Sequence, residues 1–279
     1  MIFLVRVENF KIPPEQLMFS RAFVGWILLL PYIFRKMSTA FSPRARFLWI
    51  RSIAGALAIA CLFHNIQNSS AGDASALGNL APLFVVLFSA LFFRYRPSAL
   101  EWLACITAIL GALTLQIPST NAISSSTLAI GLSGALFGGI SYLSLKKAAN
   151  KYSPQLVVWM LSSGTIVVSL LISRAPWIMP SATALGILLL IGVLGMIGQI
   201  LMTWSYTYLP APVAAPLVLG STAWSVLLET FFLGRPLSVT AVAGYLMIGI
   251  SICVLQKSKE GKLTKDKFFR PEPESTSVA

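Results

Sequence analysis

The residues able to do chemistry in this chain are few, and most stand alone inside apolar runs. Arg21 lies within PEQLMFSRAFVGWILLLP, about a third of the way along a run long enough to cross a bilayer. Insertion scales set roughly +2.5 to +3.5 kcal/mol against an arginine at a helix centre, and less off-centre. Arg21 reads as an anchor for an anionic substrate group, or else as a side chain that snorkels to the outer surface or pairs with a backbone carbonyl. Glu15, six residues earlier, falls on a different helical face and is no intrahelical partner. Asn79 and Gln199 are polar side chains inside other apolar runs, where bonds across helices or to a ligand are expected. His64, the single histidine, has Asn65, Gln67 and Asn68 in its turn, and the group reads equally as a substrate contact or a solvated loop edge. Tyr142, Trp159, Trp204, Tyr206 and Trp224 offer flat faces to a cyclic substrate, against the reading of an aromatic belt at the membrane surface. Tyr206 and Tyr208, near a turn, fit the belt better.

Two acids qualify as ion-coupling groups, each with a plainer alternative. Asp73 closes Ser70-Ala71-Gly72-Asp73, which has capping-box spacing with a short acid in the last place. Glu229 lies near the outer end of its run and can meet Arg235 across the turn. Outside the last 23 residues the remaining acids are Glu8, Glu15 and Glu101, too scattered for a catalytic pair, and one histidine makes no metal site. Cys61, Cys105 and Cys253 are an odd, scattered set inside apolar runs, so neither a disulfide framework nor a metal cluster is expected, and each reads as buried packing. Nothing resembles an ATP-binding loop. Neither an enzyme nor a cofactor is therefore expected.

The elements that must hold these residues follow from composition. Hydrophobic residues make up 56% and charged residues 11% of 279, with a mean hydropathy of +0.79. Soluble domains carry charge nearer a quarter. The apolar runs are continuous and about 20 residues long, with none of the alternating ten-residue segments of a barrel. The class is all-α, a polytopic membrane protein whose partners are the lipid bilayer and a small-molecule substrate. A homodimer is left open.

The chain also repeats itself. At an offset of 140, Pro14 meets Pro154, Gly55 meets Gly195, Ala71 meets Ala211, Ala74 meets Ala214, Leu77 meets Leu217, Phe92 meets Phe232 and Ser98 meets Ser238. The spacing predicts spans at about 15–35, 46–67, 70–93, 99–117, 127–147, 154–173, 181–206, 212–233 and 238–256. It also sets Met1 opposite Ser141, so Met1–Val7 is expected to be the second half of a first helix. Nine full helices and half of one make two five-helix repeats, 1–118 and 126–256, followed by a basic disordered tail, 257–279. Pro31, Pro82 and Pro216 inside spans are expected to bend them. The glycines at 134 and 138, and at 192, 195 and 198, are expected to let helices approach closely.

With the tail inside, sixteen basic residues fall on the cytoplasmic side: Arg35, Lys36, Arg44, Arg46, Arg51, Arg94, Arg96, Lys146, Lys147, Lys151 and six of the tail. Four fall outside: Arg6, Lys11, Arg174 and Arg235. This bias predicts a cytoplasmic C-terminus. It also accounts for the net charge of +12 without nucleic acid. An odd number of spans per repeat inverts the second copy against the first, an arrangement of transporters that bind substrate near the midplane.

The stretches PPEQLMFSRAFVGWILLLP, SAGDASALGNLAPLFVVLFSALFF with RPSALEW after it, and FFLGRPLSVTAVAG resemble the drug/metabolite transporter superfamily, in particular its EamA-type members. The resemblance implies ten helices in two inverted repeats, a bacterial inner-membrane location and secondary transport of a small organic metabolite. The first repeat, with Glu15 and Arg21 in E-x5-R spacing, Pro31 and an Arg-rich entry to the next span, is similar to members that import or exchange nucleotide-like or cofactor-like metabolites, such as S-adenosylmethionine or riboflavin. Amino-acid or drug efflux stays open beside it, as does a membrane scaffold that no longer transports. The chain departs from the pattern at Arg94-Tyr95 and Gly234-Arg235, where many members carry Gly-Glu, and in the halved first helix.

Overall fold

The computed structural model describes residues 12–34, 45–68, 77–92, 97–114, 125–173, 176–221, 224, 227, 231, 239, 242–251, 253 and 254. Met1–Val7, Asp73, Glu229 and the tail therefore lie outside the described residues, as does most of the stretch 222–241. Within them there are nine helices and no strands. We label these α1 (Pro14–Ile33), α2 (Arg46–Asn68), α3 (Ala81–Phe92), α4 (Ala99–Thr114), α5 (Ser125–Ala149), α6 (Pro154–Ile172), α7 (Ala182–Tyr208), α8 (Ala211–Leu217) and α9 (Val242–Ser251).

Five of these, α1, α2, α5, α6 and α7, are long and apolar enough to cross a membrane. The helices α3, α4 and α9 are equally apolar but shorter within the described residues. The chain is a multi-pass membrane protein, all-helical where described.

Local sequence sets the helix starts. Pro14 and Pro154, 140 residues apart, occupy the first turns of α1 and α6, where the missing N–H costs nothing. Ser181 caps α7 by accepting from the Ala184 amide at 3.2 Å. At α4 the Ser98 amide donates to Glu101 Oε2 at 2.9 Å and the Glu101 amide donates to Ser98 Oγ at 3.3 Å. That is a capping box, and it explains why Glu101 can be fully buried.

Prolines act differently from the expectation in two places. Pro82 stands in the first turn of α3, behind a break marked by Leu80 and Leu83 amides bonded three residues back, so it starts a helix rather than bending one. The expected span 212–233 is interrupted: α8 ends at Leu217, and Val218 and Leu219 form a turn just after Pro216. Asn79 accordingly sits in a turn before α3, not inside a span.

Packing is built on small residues. α5 lies along α2, α1 along α6 and α7, and α2 along α6. A methyl group on Gly192 of α7 would strike Val24 of α1 at 2.5 Å, and one on Gly164 of α6 would strike Ser52 of α2. Lipid supplies no hydrophobic drive for helices to associate, so such close backbone approach is what holds them. Arg51, assigned by sequence to the cytoplasmic flank, is instead 3% exposed inside α2. Tyr206, expected in a surface belt, is wholly buried in the main core cluster, while Tyr208 is exposed. Of the cysteines expected in the interior, Cys105 is buried, Cys61 half-buried and Cys253 exposed.

Candidate functional site

The site lies where α1, α2, α6 and α7 meet. Arg21 and Gly25 of α1, Ile59 of α2, Ser162 and Thr165 of α6, and Gln199 of α7 line a narrow cavity of about 30 Å³. That is room for a water or so, not for an organic metabolite. Arg21 therefore points between helices rather than outward along lipid. Gly195 makes its place: a Cβ there would stand 2.9 Å from Arg21 Nε. Among the described residues the Arg21 guanidinium has no ion pair and no hydrogen bond.

A second guanidinium lies behind this wall, bonded to its Gln199. Arg51 Nη1 donates to Ser141 Oγ at 2.5 Å and Nη2 donates to Gln199 Oε1 at 3.0 Å. Ser141 Oγ in turn donates to the Arg51 carbonyl at 3.2 Å. The guanidinium stands 5.6 Å from the centre of the Tyr142 ring, and Tyr142 lies 5.9 Å from Tyr206. Gln199 thus touches both arginines' surroundings: it lines the Arg21 cavity and bonds Arg51. The acceptors that Arg51 finds are neutral. Its Nε, the Tyr206 hydroxyl and the Trp159 indole N–H are buried without a partner. Each unsatisfied buried donor costs about 1–3 kcal/mol, and more when charged. No carboxylate lies within ion-pairing distance of either arginine among the described residues. The arrangement can hold an oxyanion.

Of the residues the sequence singled out, Arg21 and Gln199 share the cavity, and Tyr142 lies beside it through Arg51. Trp159 is buried on α6 and stacks on Trp26, ring centres 5.8 Å apart. Asn65 is buried but tied to the start of α5, its Nδ2 donating to the Thr127 carbonyl at 3.1 Å. Asn79 stays in its turn away from the cavity wall, and His64, Trp204 and Trp224 are exposed. His64 and Trp204 are 140 residues apart and share that outward aspect. Arg51 and Ser141 were not singled out as site residues, and Tyr206 was weighed as a flat face but assigned to the belt. The available signal was Arg51's position five residues inside a predicted span, one turn before Gly55, which Arg44 and Arg46 next to it concealed.

Two clasps bracket the site. At the start of α1 the Gln16 side-chain amide donates to the Ile178 carbonyl at 2.7 Å and accepts from the Ile178 amide at 3.0 Å. Phe19 packs edge-on against Trp177, ring centres 4.7 Å apart. At the opposite end Lys146 Nζ donates to the Tyr206 and Thr207 carbonyls at 2.7 and 3.0 Å. A cation there satisfies carbonyls that the last turn of α7 leaves open.

Comparison with known proteins agrees with this membrane architecture. The profile of the EamA-like transporter family matches residues 1–116 and again 125–256. The pseudopaline exporter CntI of Pseudomonas aeruginosa (strain UCBPP-PA14) is 28% identical over 266 residues, covering 92% of this chain and 91% of that protein. An uncharacterized transporter of Helicobacter pylori (strain ATCC 700392 / 26695) is 24% identical over 224 residues, 77% and 75% of the two chains. The riboflavin transporter of Rhizobium johnstonii is 25% identical over 231 residues, 82% of this chain and 75% of that one. A solved crystal structure superposes with a TM-score of 0.73 at 18% identity, covering 88% of this chain and 87% of its own, which speaks for the fold alone. The chain belongs to the EamA-like transporter family.

Proposed function

We propose that this family member is a secondary transporter of a small, negatively charged organic metabolite, with Arg21 as the anchor for its acidic group. The observation that carries the reading is Arg21 on the wall of a closed cavity with no carboxylate near it among the described residues, next to Gln199, which lines the same cavity and bonds the buried Arg51. An uncompensated buried guanidinium is costly, and a bound anion removes that cost when it arrives. The aromatic residues Tyr142, Trp159 and Trp26 beside the cavity suit a nucleotide-like or cofactor-like molecule, and relatives named as an exporter of pseudopaline and a transporter of riboflavin support an organic cargo. Uptake or exchange in the bacterial inner membrane, with the tail in the cytoplasm, fits the charge bias. The two family matches, at 1–116 and 125–256, suit a division into two repeats.

The cavity at about 30 Å³ is closed around water-sized space, so transport requires the clasps at Gln16–Ile178 and Lys146–Tyr206 to open in turn. Reconstitution tests the proposal. Liposomes containing the protein and loaded with a mixed metabolite pool should exchange labelled organic anions across the membrane, and Arg21→Ala should stop that exchange while inserting normally. Exchange no faster than in protein-free liposomes, for every anion tried, would sink it.

A further inference from the structure

Arg51 sits behind the cavity wall, bonded to Gln199. It is 3% exposed, yet its Nε has no acceptor, and the Tyr206 hydroxyl, wholly buried, has none either. Both belong to one cluster, because the Tyr142 ring lies 5.6 Å from the Arg51 guanidinium and 5.9 Å from the Tyr206 ring. Only neutral oxygens, Ser141 Oγ and Gln199 Oε1, meet the other two nitrogens of Arg51. Two donors of the cluster, Arg51 Nε and the Tyr206 hydroxyl, thus have no acceptor, and an oxyanion would supply one. Burial of an arginine for structure alone would leave it paired with a carboxylate or with main-chain carbonyls.

The second guanidinium, Arg21, is linked to this cluster through Gln199. Gln199 lines the Arg21 cavity and accepts from Arg51. The two positive groups therefore share one polar side chain as a neighbour. Gln199 is the hinge of the arrangement: its Oε1 is the acceptor that an incoming oxyanion replaces on Arg51, and rotation of its amide then frees an N–H donor for the same ligand.

Resting on the transport reading above, we infer that Arg51, Gln199 and Tyr206 form a second oxyanion subsite, so that the substrate carries two acidic groups, one held at Arg21 and the other at Arg51. The class is an organic dianion such as a dicarboxylate. A substrate with one acidic group leaves one guanidinium unsatisfied and is selected against, because a site built to bond a group discriminates strongly against ligands that lack it.

The test uses the full-length protein in nanodiscs and a series of linear dicarboxylates, from succinate to suberate, each beside its monomethyl ester. Binding is read as a shift in thermal unfolding and as competition with anion exchange in liposomes. At least one diacid should bind about tenfold more tightly than its monoester. Arg51→Gln should abolish that tenfold preference, and Arg21→Gln should weaken the binding of diacid and monoester alike. Tyr206→Phe, which keeps the ring in the core, should reduce the diacid's advantage over its monoester, so that the inference stays testable if the arginine variant folds poorly. Monoesters that bind as tightly as their diacids, or a diacid preference that survives both Arg51→Gln and Tyr206→Phe, would overturn it. Diacid binding without exchange of any anion would leave the subsite standing and overturn the transport reading instead. Exchange of singly charged anions with no diacid preference would do the reverse.

Discussion

Two helix contacts in this molecule are copies of each other, and they differ where it matters. α7 packs on α1 through Gly192 against Val24 and Gly195 against Arg21. α2 packs on α6 through Ser52 against Gly164 and Gly55 against Leu161. Adding 140 to Ser52 and Gly55 gives Gly192 and Gly195; adding it to Arg21 and Val24 gives Leu161 and Gly164. A third contact obeys the same rule on itself. A Cβ on Gly111 of α4 would stand 2.9 Å from the Gly244 carbonyl, and Ser251 Oγ donates to the Ala104 carbonyl at 2.7 Å, which is that contact with its partners exchanged. The scaffold is symmetric and the chemistry is not. Where the first contact presents a guanidinium to the cavity, the second presents a leucine.

The largest expected effect comes from removing that asymmetry. Arg21→Leu makes the first contact like the second, and anion exchange should fall by about a hundredfold or more, the loss of roughly 2.7 kcal/mol that a charge-assisted anchor can supply. Unfolding temperature should hold or rise, since an unpaired buried charge is removed. Arg21→Lys should recover only part of the exchange, because an ammonium lacks the planar fork. A leucine variant that exchanges anions normally would mean the charge has no part in binding.

The next effect concerns the scaffold. Gly164→Leu forces a side chain into Ser52, whose hydroxyl donates to the Met160 carbonyl at 2.5 Å and has no room to withdraw. Overpacking of this kind costs about 1–3 kcal/mol, occasionally more. Thermal unfolding in detergent should show the loss. The same substitution at Gly186, which meets nothing within 4 Å, is the control and should leave the transition in place.

How far this was legible in the sequence depended on what kind of signal each residue left. The offset of 140 was visible in spaced identities, and it marked Gly55 and Gly195, the two glycines on which the contacts turn. Helix existence was legible from apolar length. Facing was not. In a bilayer the outer side of a helix is as apolar as its inner side, so periodicity that would orient a soluble helix is absent. Trp159 and Trp204 look alike in sequence, yet one is buried against Trp26 and the other is half exposed. Tyr206 and Tyr208, two residues apart, divide in the same way. Arg51 was hidden by company: beside Arg44 and Arg46 it read as a flank, whereas alone, like Arg21, it would have stood out. The break after Pro216 was foreseeable as a bend but not as a stop, because a proline inside a membrane helix is often tolerated.

A smaller effect tests the one helix start that the sequence disclosed without being read. Ser98-x-x-Glu101 satisfies two amides reciprocally at the head of α4. Ser98→Ala should cost about 1 kcal/mol, seen as a lowered unfolding temperature with anion exchange unchanged, since neither residue approaches the cavity. Glu101→Gln keeps the acceptor and should cost less. Equal losses from both would indicate that the Glu101 charge, and not the cap, steadies the helix.

The smallest expected effect separates two glycines one turn apart on α7. Gly198 meets nothing within 4 Å of where a Cβ would stand, while at Gly195 that Cβ would lie 2.9 Å from Arg21 Nε and 3.5 Å from Arg21 Cγ. Both sit inside a long helix, where Ala is favoured over Gly by up to about 1 kcal/mol on backbone entropy in water. At Gly198 nothing opposes that preference, so Gly198→Ala should raise stability by a few tenths of a kcal/mol and leave exchange untouched. At Gly195 the same methyl pushes on the Arg21 side chain, which is long and can move at its far end. Gly195→Ala should therefore change stability little but displace the guanidinium from the cavity, lowering anion affinity with no change in folding. The comparison of Arg21 with Leu161 gives the control: at Gly55 the methyl meets Leu161 Cδ1 at 2.5 Å and Ser141 Oγ at 2.8 Å, so Gly55→Ala should disturb packing and the Ser141 bond to Arg51 together. A Gly195→Ala variant with wild-type affinity would mean that Arg21 binds nothing in the place the fold gives it, however closely the two contacts match.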